Sequence, residues 1–340
     1  MQTAVMVGCG AMSEGWLRAI AEIGDKVSLV GFVDLDPELA RRRAEQAGTA
    51  DAVTGTALDA VLKQVRPDMV FDIVVPSARA QVVETAFAAG CDVLSEKPMA
   101  GSLTEARHLL ELRNAHGRLH AIVQNRRFLT GIRRAKAFLD SGAIGEVAEV
   151  HCDFFIAPHF GGFREEMAHV LLHDMAIHTF DAARFVAGVR PRRVVCLESN
   201  PRHSWYRSGA SAAALFDCEG GVTFSYRGSW CAEGAPTSWE ASWRMVGSKG
   251  TLIWDGNEGF RAEVPGERDG LLAAMTPVDV PALTSPLPFQ GHAGVIADFL
   301  DARLTGQAPL SDSRDNFHSL AMTLAAIDSV RRGTFVPVES

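Results

Sequence analysis

Apolar positions fall into two textures along the 340 residues. Up to residue 123, short and nearly continuous apolar runs alternate with longer segments whose apolar residues recur every three or four positions. The runs are Thr3–Val7, Val27–Val33, Met69–Val75, Asp92–Leu94 and Leu119–Val123. A run that is apolar at nearly every position predicts a strand buried on both faces. The longer segments predict helices through Trp16, Leu17, Ile20 and Ile23, then over 39–47, 58–65, 80–89 and 104–115. Gly48, Gly90 and Gly117 stand where C-terminal caps belong. Strands alternating with helices predict a parallel, doubly wound sheet.

Beyond Val123 the pattern changes. A helix over 132–139 ends at Gly142. Stretches 146–156, 193–199, 210–216, 222–228, 239–246 and 251–254 then follow, several of them alternating apolar with polar residues. With Glu219-Gly220-Gly221 as a turn, they predict a mostly antiparallel open sheet. One face is expected to pack on helices. The other, expected to carry Trp, Phe and Val, is a candidate oligomer interface. Pro277 to Pro288 reads as a proline-rich loop, and helices over 293–303 and 315–330 close the chain. The fold class is therefore α/β. A Rossmann-type doubly wound domain is expected over 1–124. An α+β domain with a large open sheet is expected over 125–340.

A hydrophobic content of 47% with 22% charged residues fits a soluble globular chain. The net charge of −8 leaves no basic excess to neutralise phosphates, so a nucleic-acid partner is not expected. Arg41-Arg42-Arg43 reads as the solvated face of a helix. No apolar stretch reaches the length that spans a bilayer. The opening residues lack a basic segment followed by an apolar core, so no signal peptide is expected. Six scattered cysteines without a CxxC pair fit reduced thiols in the cytoplasm.

Candidate chemistry begins at the first strand. It runs into Gly8-Cys9-Gly10-Ala11-Met12-Ser13 and then a helix, the context of a dinucleotide turn. Gly8 permits the turn. Gly10 lets backbone approach a pyrophosphate resting on the helix N-terminus, with Ala11 and Met12 in its first turn. Ser13 replaces the third glycine. The second strand ends in Asp34, which can accept from both ribose hydroxyls and repels a 2′-phosphate, favouring NAD over NADP. Asp36, directly before Pro37, is the better helix cap. Pro76 ends the Met69–Val75 run on the same carboxyl edge. The fourth run ends in Glu96-Lys97-Pro98, where a desolvated lysine is costly unless its charge is used. Read alone, Lys97 fits a surface loop equally well.

Together, Gly8-x-Gly10, Asp34, Pro76 and Glu96-Lys97-Pro98 resemble the Gfo/Idh/MocA family of NAD(P)-dependent oxidoreductases. Gln124-Asn125-Arg126-Arg127-Phe128 is similar to that family's segment after the last Rossmann strand. Asp174-Met175-Ala176-Ile177-His178-Thr179-Phe180-Asp181 is similar to its Asp-x-x-x-His-x-x-Asp helix, and Val246–Leu252 to its late hairpin. Met167-Ala168-His169-Val170 and Gln81 depart from it, where glycines and a histidine are frequent.

The resemblance implies oxidation of a secondary hydroxyl on a sugar or polyol, with a homodimer or homotetramer formed through the C-terminal sheet. Residues 174, 178 and 181 share a helical face, which read alone fits a solvated surface or a wet pocket. With the resemblance, His178 is expected to take the hydroxyl proton, while Lys97 stabilises the developing alkoxide and Asp174 orients the imidazole. The roles of Lys97 and His178 could exchange. Glu96 is expected to position Lys97 or the cofactor. Asn125, Arg127, His159 and Arg164 are expected to meet substrate, the last two from the loop Pro158–Glu165. His169, His173 and His178 with Asp174 have spacings that could ligate zinc, but no HExxH is present and no metal is expected. Two other readings stand beside the dehydrogenase: a glycoside-cleaving enzyme using transient sugar oxidation, and a non-catalytic nucleotide-sensing regulator.

Overall fold

The computed structural model describes residues 1–268 and 270–339. In chain order the first stretch holds β1 (Gln2–Val7), α1 (Ala11–Ile23), β2 (Val27–Val33), α2 (Pro37–Gln46), β3 (Val53–Gly55), α3 (Leu58–Val65), β4 (Met69–Asp72), α4 (Pro76–Ala88), β5 (Asp92–Ser95), α5 (Leu103–His116) and β6 (His120–Ile122). The second holds α6 (Thr130–Asp140), β7 (Val147–Phe155), the single turn α7 (Phe163–Glu166), a π-helical turn (Leu171–Ala176), α8 (Ile177–Ala187), β8 (Pro191–Ser199), β9 (Ser211–Cys218), β10 (Thr223–Ser229), β11 (Ser242–Gly247), β12 (Gly250–Trp254), β13 (Phe260–Arg268) and β14 (Ala273–Val278). The chain closes with α9 (Gly291–Thr305), α10 (Ser313–Arg332) and β15 (Val336–Pro337).

Two compact units result. Met1–Phe128 and Leu287–Leu320 form one; Leu129–Pro286 and the chain from Ala321 on form the other. The division differs from the expected 1–124 and 125–340, because α9 returns to the first unit. Val295, Ile296, Phe299 and Leu300 of α9 are buried in the same cluster as Trp16 and Phe71. A helix apolar on most of its circumference needs such a core.

The first unit carries a six-stranded sheet in the order β3-β2-β1-β4-β5-β6, with every pairing parallel. Strand order reverses between β1 and β4, and the crevice at that switch point is where ligands bind in such sheets. The sequence pattern missed β3, an edge strand of three residues. It also extended β4 by three residues: Pro76 starts α4, so Ile73–Val75 is a turn.

The second unit carries a nine-stranded sheet in the order β14-β13-β12-β11-β7-β10-β9-β8-β15, with the β7–β10 pair parallel and the other pairs antiparallel. Phe180 of α8 meets Phe216, Tyr226 and Phe224 with ring centres 5.0, 5.3 and 6.0 Å apart. Phe154 and Trp243 are buried too. The aromatics therefore lie on the helix-covered face, which corrects the expectation that the open face would carry them. The open face instead presents aliphatic Leu197, 73% exposed, and Leu215, 42% exposed. On the neighbouring strands β10 and β7, Arg227 and Asp153 form an ion pair bonded through two nitrogens. The edge hairpin β13–β14 was also missed, its inward periodicity being confined to Ala262. No described helix is long and apolar enough to cross a membrane. All six cysteines are free and buried.

His120 on β6 is fully buried, with Nε2 3.1 Å from Ser95 Oγ. Burial pushes its pKa down to about 3, helped by the Arg113 and Arg79 charges. The unfolded chain, with an ordinary histidine near pKa 6.5, takes up the proton first. The stability contributed by neutral His120 is therefore complete above about pH 6.5 and is lost as pH falls toward 3. Denaturant unfolding at pH 7 and pH 4 should show His120→Asn losing less stability across that interval than the unmodified protein.

Candidate active site

At the carboxyl end of β1 the chain turns at Gly8, where φ is +91°. A Cβ there would lie 2.8 Å from the Ile73 carbonyl group, so only glycine lets the turn pass the end of β4. Above Gly10 a Cβ would meet nothing within 4 Å, so that side of the turn is open. Ser13 is buried beneath it, its hydroxyl donating to the Gly10 carbonyl at 2.6 Å. Asp34 closes the far side. Its Oδ2 accepts from Cys9 N at 2.7 Å and its Oδ1 from Asp36 N at 2.9 Å. Asp36 itself caps α2 by accepting from Glu38 N. The Cys9 thiol is pushed up to about 12, by burial first and then by Asp34, which disfavours the thiolate.

Arg43 corrects the sequence reading of the arginine run. It is buried, and its guanidinium donates to the carbonyls of Cys9 and Gly10 at 3.0 and 3.1 Å. The solvated-face reading holds for its neighbour Arg41, which is paired with Glu38 and Glu45. Arg43 sits three residues after buried Ala40, a spacing that could have revealed it.

The end of β5 is a web of buried charge. Glu96 Oε1 accepts from Trp16 Nε1 at 2.8 Å and lies 3.2 Å from His292 Nε2. Its Oε2 accepts from the Lys97 backbone N–H at 3.1 Å. Burial opposes ionisation of this carboxyl, but the bonds from His292 and Trp16 outweigh it and hold the group below its ordinary pKa. Glu96 therefore fixes the backbone at Lys97. Both its oxygens are engaged within the protein, one of them by the lysine segment. The Lys97–Pro98 peptide bond is cis. Arg79 grips the segment from the other side. It is fully buried and pairs through Nε with Asp72 at 2.8 Å. It donates to the Val74 carbonyl at 2.7 Å and to the Pro98 carbonyl. Asp72 Oδ1 accepts from Val74 N at 3.2 Å. Arg79 thus ties β4, the turn before Pro76 and the chain just past Lys97 into one network.

In the second unit, Asp174 lies in the π-helical turn and His178 in α8. The regular i, i+4 face assumed from the sequence is interrupted, since the π turn closes by i→i+5 bonds. Asp174 Oδ2 accepts from Arg164 Nε at 2.8 Å, and Arg164 lies between the rings of Phe160 and Phe163. His159 stacks on Trp205 with ring centres 3.6 Å apart and stands 3.6 Å from Glu233. Tyr206, its hydroxyl pushed up to about 12 chiefly by burial, donates to the Pro158 carbonyl. His169 is engaged by Glu198 at 2.6 Å. Among the described residues no three His, Cys, Asp or Glu side chains gather in metal-binding geometry.

Comparison with known proteins adds an independent line. Residues 3–124 match the family model described as oxidoreductase family, NAD-binding Rossmann fold, and residues 132–253 match the GFO/IDH/MocA C-terminal domain. The chain belongs to the Gfo/Idh/MocA oxidoreductase family. It is 27% identical over 350 residues to the uncharacterized protein y4oX of Sinorhizobium fredii, spanning 98% of this chain and 94% of that one. It is 26% identical to the D-apiose dehydrogenase of Paraburkholderia graminis, spanning 98% of this chain and 89% of that protein. Its fold matches an oxidoreductase from Agrobacterium radiobacter solved with NAD+, L-tartaric acid and magnesium, with a TM-score of 0.85, 22% identity, and coverage of 99% and 98% of the two chains.

The family's NAD fits the residues present. The open space over Gly10, the α1 N-terminus without a side-chain cap, and the Asp34 carboxylate form a pyrophosphate and ribose cradle. Among the residues expected to meet substrate, Arg127 departs. It is buried and bound to the Leu310 carbonyl and to Asp315, so it anchors the chain after β6. Asn125 lies half-buried, with Nδ2 3.4 Å from His292 Nδ1. Trp16, Arg79 and His292 were not foreseen. Arg79 shares the inner face of α4 with Val83, Ala86 and Phe87, a charge in an apolar stripe that could have been noticed. His292 carried no local signal.

Removing the Arg79 guanidinium strands Asp72 in the interior. Arg79→Met should lower stability by about 3–5 kcal/mol in urea unfolding, whereas the double change Asp72→Leu with Arg79→Met should lose clearly less.

Proposed function

We propose that this Gfo/Idh/MocA oxidoreductase is an NAD-dependent dehydrogenase that oxidises a secondary hydroxyl of a sugar or polyol. The observation that carries the reading is Lys97. Its backbone is clamped between Glu96 and the Arg79–Pro98 contact, on the sheet edge that holds the open glycine turn. A lysine whose backbone is fixed by that much buried structure, at the end of β5 on the carboxyl edge where such sheets bind ligands, supports a reacting group beside it. The chain's similarity to D-apiose dehydrogenase, and over part of its length to inositol 2-dehydrogenase, supports a sugar or polyol as substrate.

When bound, NAD supplies the two-electron acceptor. The protein's residues manage the proton and the charge. His178 takes the proton of the reacting hydroxyl, a task suited to an imidazole near neutral pH. Lys97 hydrogen-bonds the same oxygen and stabilises the negative charge that develops there. Asp174, held by Arg164, orients the imidazole or a neighbouring hydroxyl. His159, Arg164 and Asn125 meet other polar groups of the substrate.

We assign the chain to the cytoplasm, consistent with six free cysteines. We assign the open face of the second sheet to contact with a second copy, since Leu197 and Leu215 expose aliphatic surface there on β8 and β9, next to the paired charges of β10 and β7.

A spectrophotometric screen over inositols, aldoses and glycosides should reveal NADH formation. Lys97→Ala and His178→Ala should each lower turnover by about 10²-fold to 10⁴-fold while NADH fluorescence titrations stay nearly unchanged. Unaltered turnover in both would remove the mechanism. In sedimentation at micromolar concentration the protein should run as a dimer or tetramer, and Leu215→Asp should shift it toward monomer.

A further inference from the structure

The loop between β7 and the π-helical turn is organised around one side chain. Arg164 donates through Nε to Asp174 at 2.8 Å. Its guanidinium carbon lies 5.1 Å from the ring centre of Phe160 and 4.9 Å from that of Phe163. Phe160 leans on Trp230 and Trp239, with ring centres 5.3 and 6.4 Å away. Between the two phenylalanines Gly161 and Gly162 have φ of +66° and +64°, a path that L side chains disfavour. Two rings and one carboxylate thus fix the guanidinium. Among the described residues its two Nη groups have no protein acceptor, and the side chain is 24% exposed.

Stability does not explain this arrangement. A partly exposed ion pair contributes about 0–1 kcal/mol, and Phe163 remains 68% exposed. The neighbouring acids are already engaged. Glu165 accepts from Gly161 N at 2.9 Å, Glu166 stands 3.5 Å from Arg207, and Glu233 stands 3.6 Å from His159. Asp174 occupies the Nε side and leaves the outer fork positive. A planar fork with parallel donors fits a carboxylate through two bonds, where a lone hydroxyl satisfies only one.

We propose that the substrate is a sugar acid or polyhydroxy acid, and that the outer edge of Arg164 binds its carboxylate. The proposal rests on the dehydrogenase reading above and narrows its substrate class.

The test presents NAD-loaded enzyme with pairs that differ in one group: D-glucose with D-glucuronate, D-galactose with D-galacturonate, and a hexitol with its aldonate. NADH formation reads kcat/KM. Quenching of intrinsic tryptophan fluorescence reads binding to NADH-loaded enzyme. At least one acid should be favoured over its neutral partner by about tenfold to a hundredfold, the range of a charge-assisted bond pair. Arg164→Met should bring that ratio close to one, and Arg164→Lys, with the charge but not the fork, should keep part of it. Equal or better use of every neutral partner, or an unchanged ratio in Arg164→Met, overturns the proposal. If no compound yields NADH, the dehydrogenase reading fails separately. The fluorescence titration then decides: acid binding that is lost in Arg164→Met supports the carboxylate site, and equal binding of acid and neutral partners overturns it.

Discussion

The buried Asp72–Arg79 pair is the constraint on which the carboxyl edge of the first unit's sheet depends. An arginine and an aspartate, both fully buried, are tolerable only when each donor and acceptor is met. Arg79 meets that condition by reaching Asp72, the Val74 carbonyl and the Pro98 carbonyl at once. Because Asp72 and Val74 lie at the end of β4 and Pro98 lies beyond β5, satisfying one side chain fixes both stretches. Glu96 does the same from the opposite side, joining Trp16 of α1 and His292 of α9 to the Lys97 backbone. Lys97 is therefore held by two polar networks rather than by hydrophobic packing alone. Hydrogen bonds prescribe direction as well as proximity, so the course of the Lys97 backbone is fixed.

The glycine turn follows the same logic on a smaller scale. Its carbonyls are gripped by Arg43, its Cys9 amide by Asp34 and its underside by Ser13. With the carbonyls turned inward to Arg43, the outward side is left to N–H groups, which suits an anion. The Arg43 guanidinium is taken up by the Cys9 and Gly10 carbonyls, by Gln46 and by Glu14.

The second unit uses a different material. Its sheet buries aromatic side chains against α8, leaving an open face of aliphatics and paired charges. The irregular backbone is concentrated before α8, where a π turn carries Asp174 and a glycine pair stands between the two phenylalanines that flank Arg164. Irregular backbone supported by a rigid sheet is where binding residues are expected.

Much of this was legible in the chain. Strand–helix alternation, the Gly8–Gly10 turn, Asp34 and the Glu96-Lys97-Pro98 element specified the Rossmann unit and its ligand edge, because local periodicity and turn chemistry are written into neighbouring residues. The direction of long-range polar contacts was not. His292 reaches Glu96 across 196 positions and Arg127 reaches Asp315 across 188. Such partners are chosen by tertiary packing, which leaves no local signature. Which sheet face holds the aromatics, where α9 docks and what Arg43 and Arg79 bind were likewise decided only when separate segments closed over one another. The sequence by itself determined the elements and the chemistry available at their ends; the tertiary structure decided which charges are buried together, because desolvation exists only once the chain has folded.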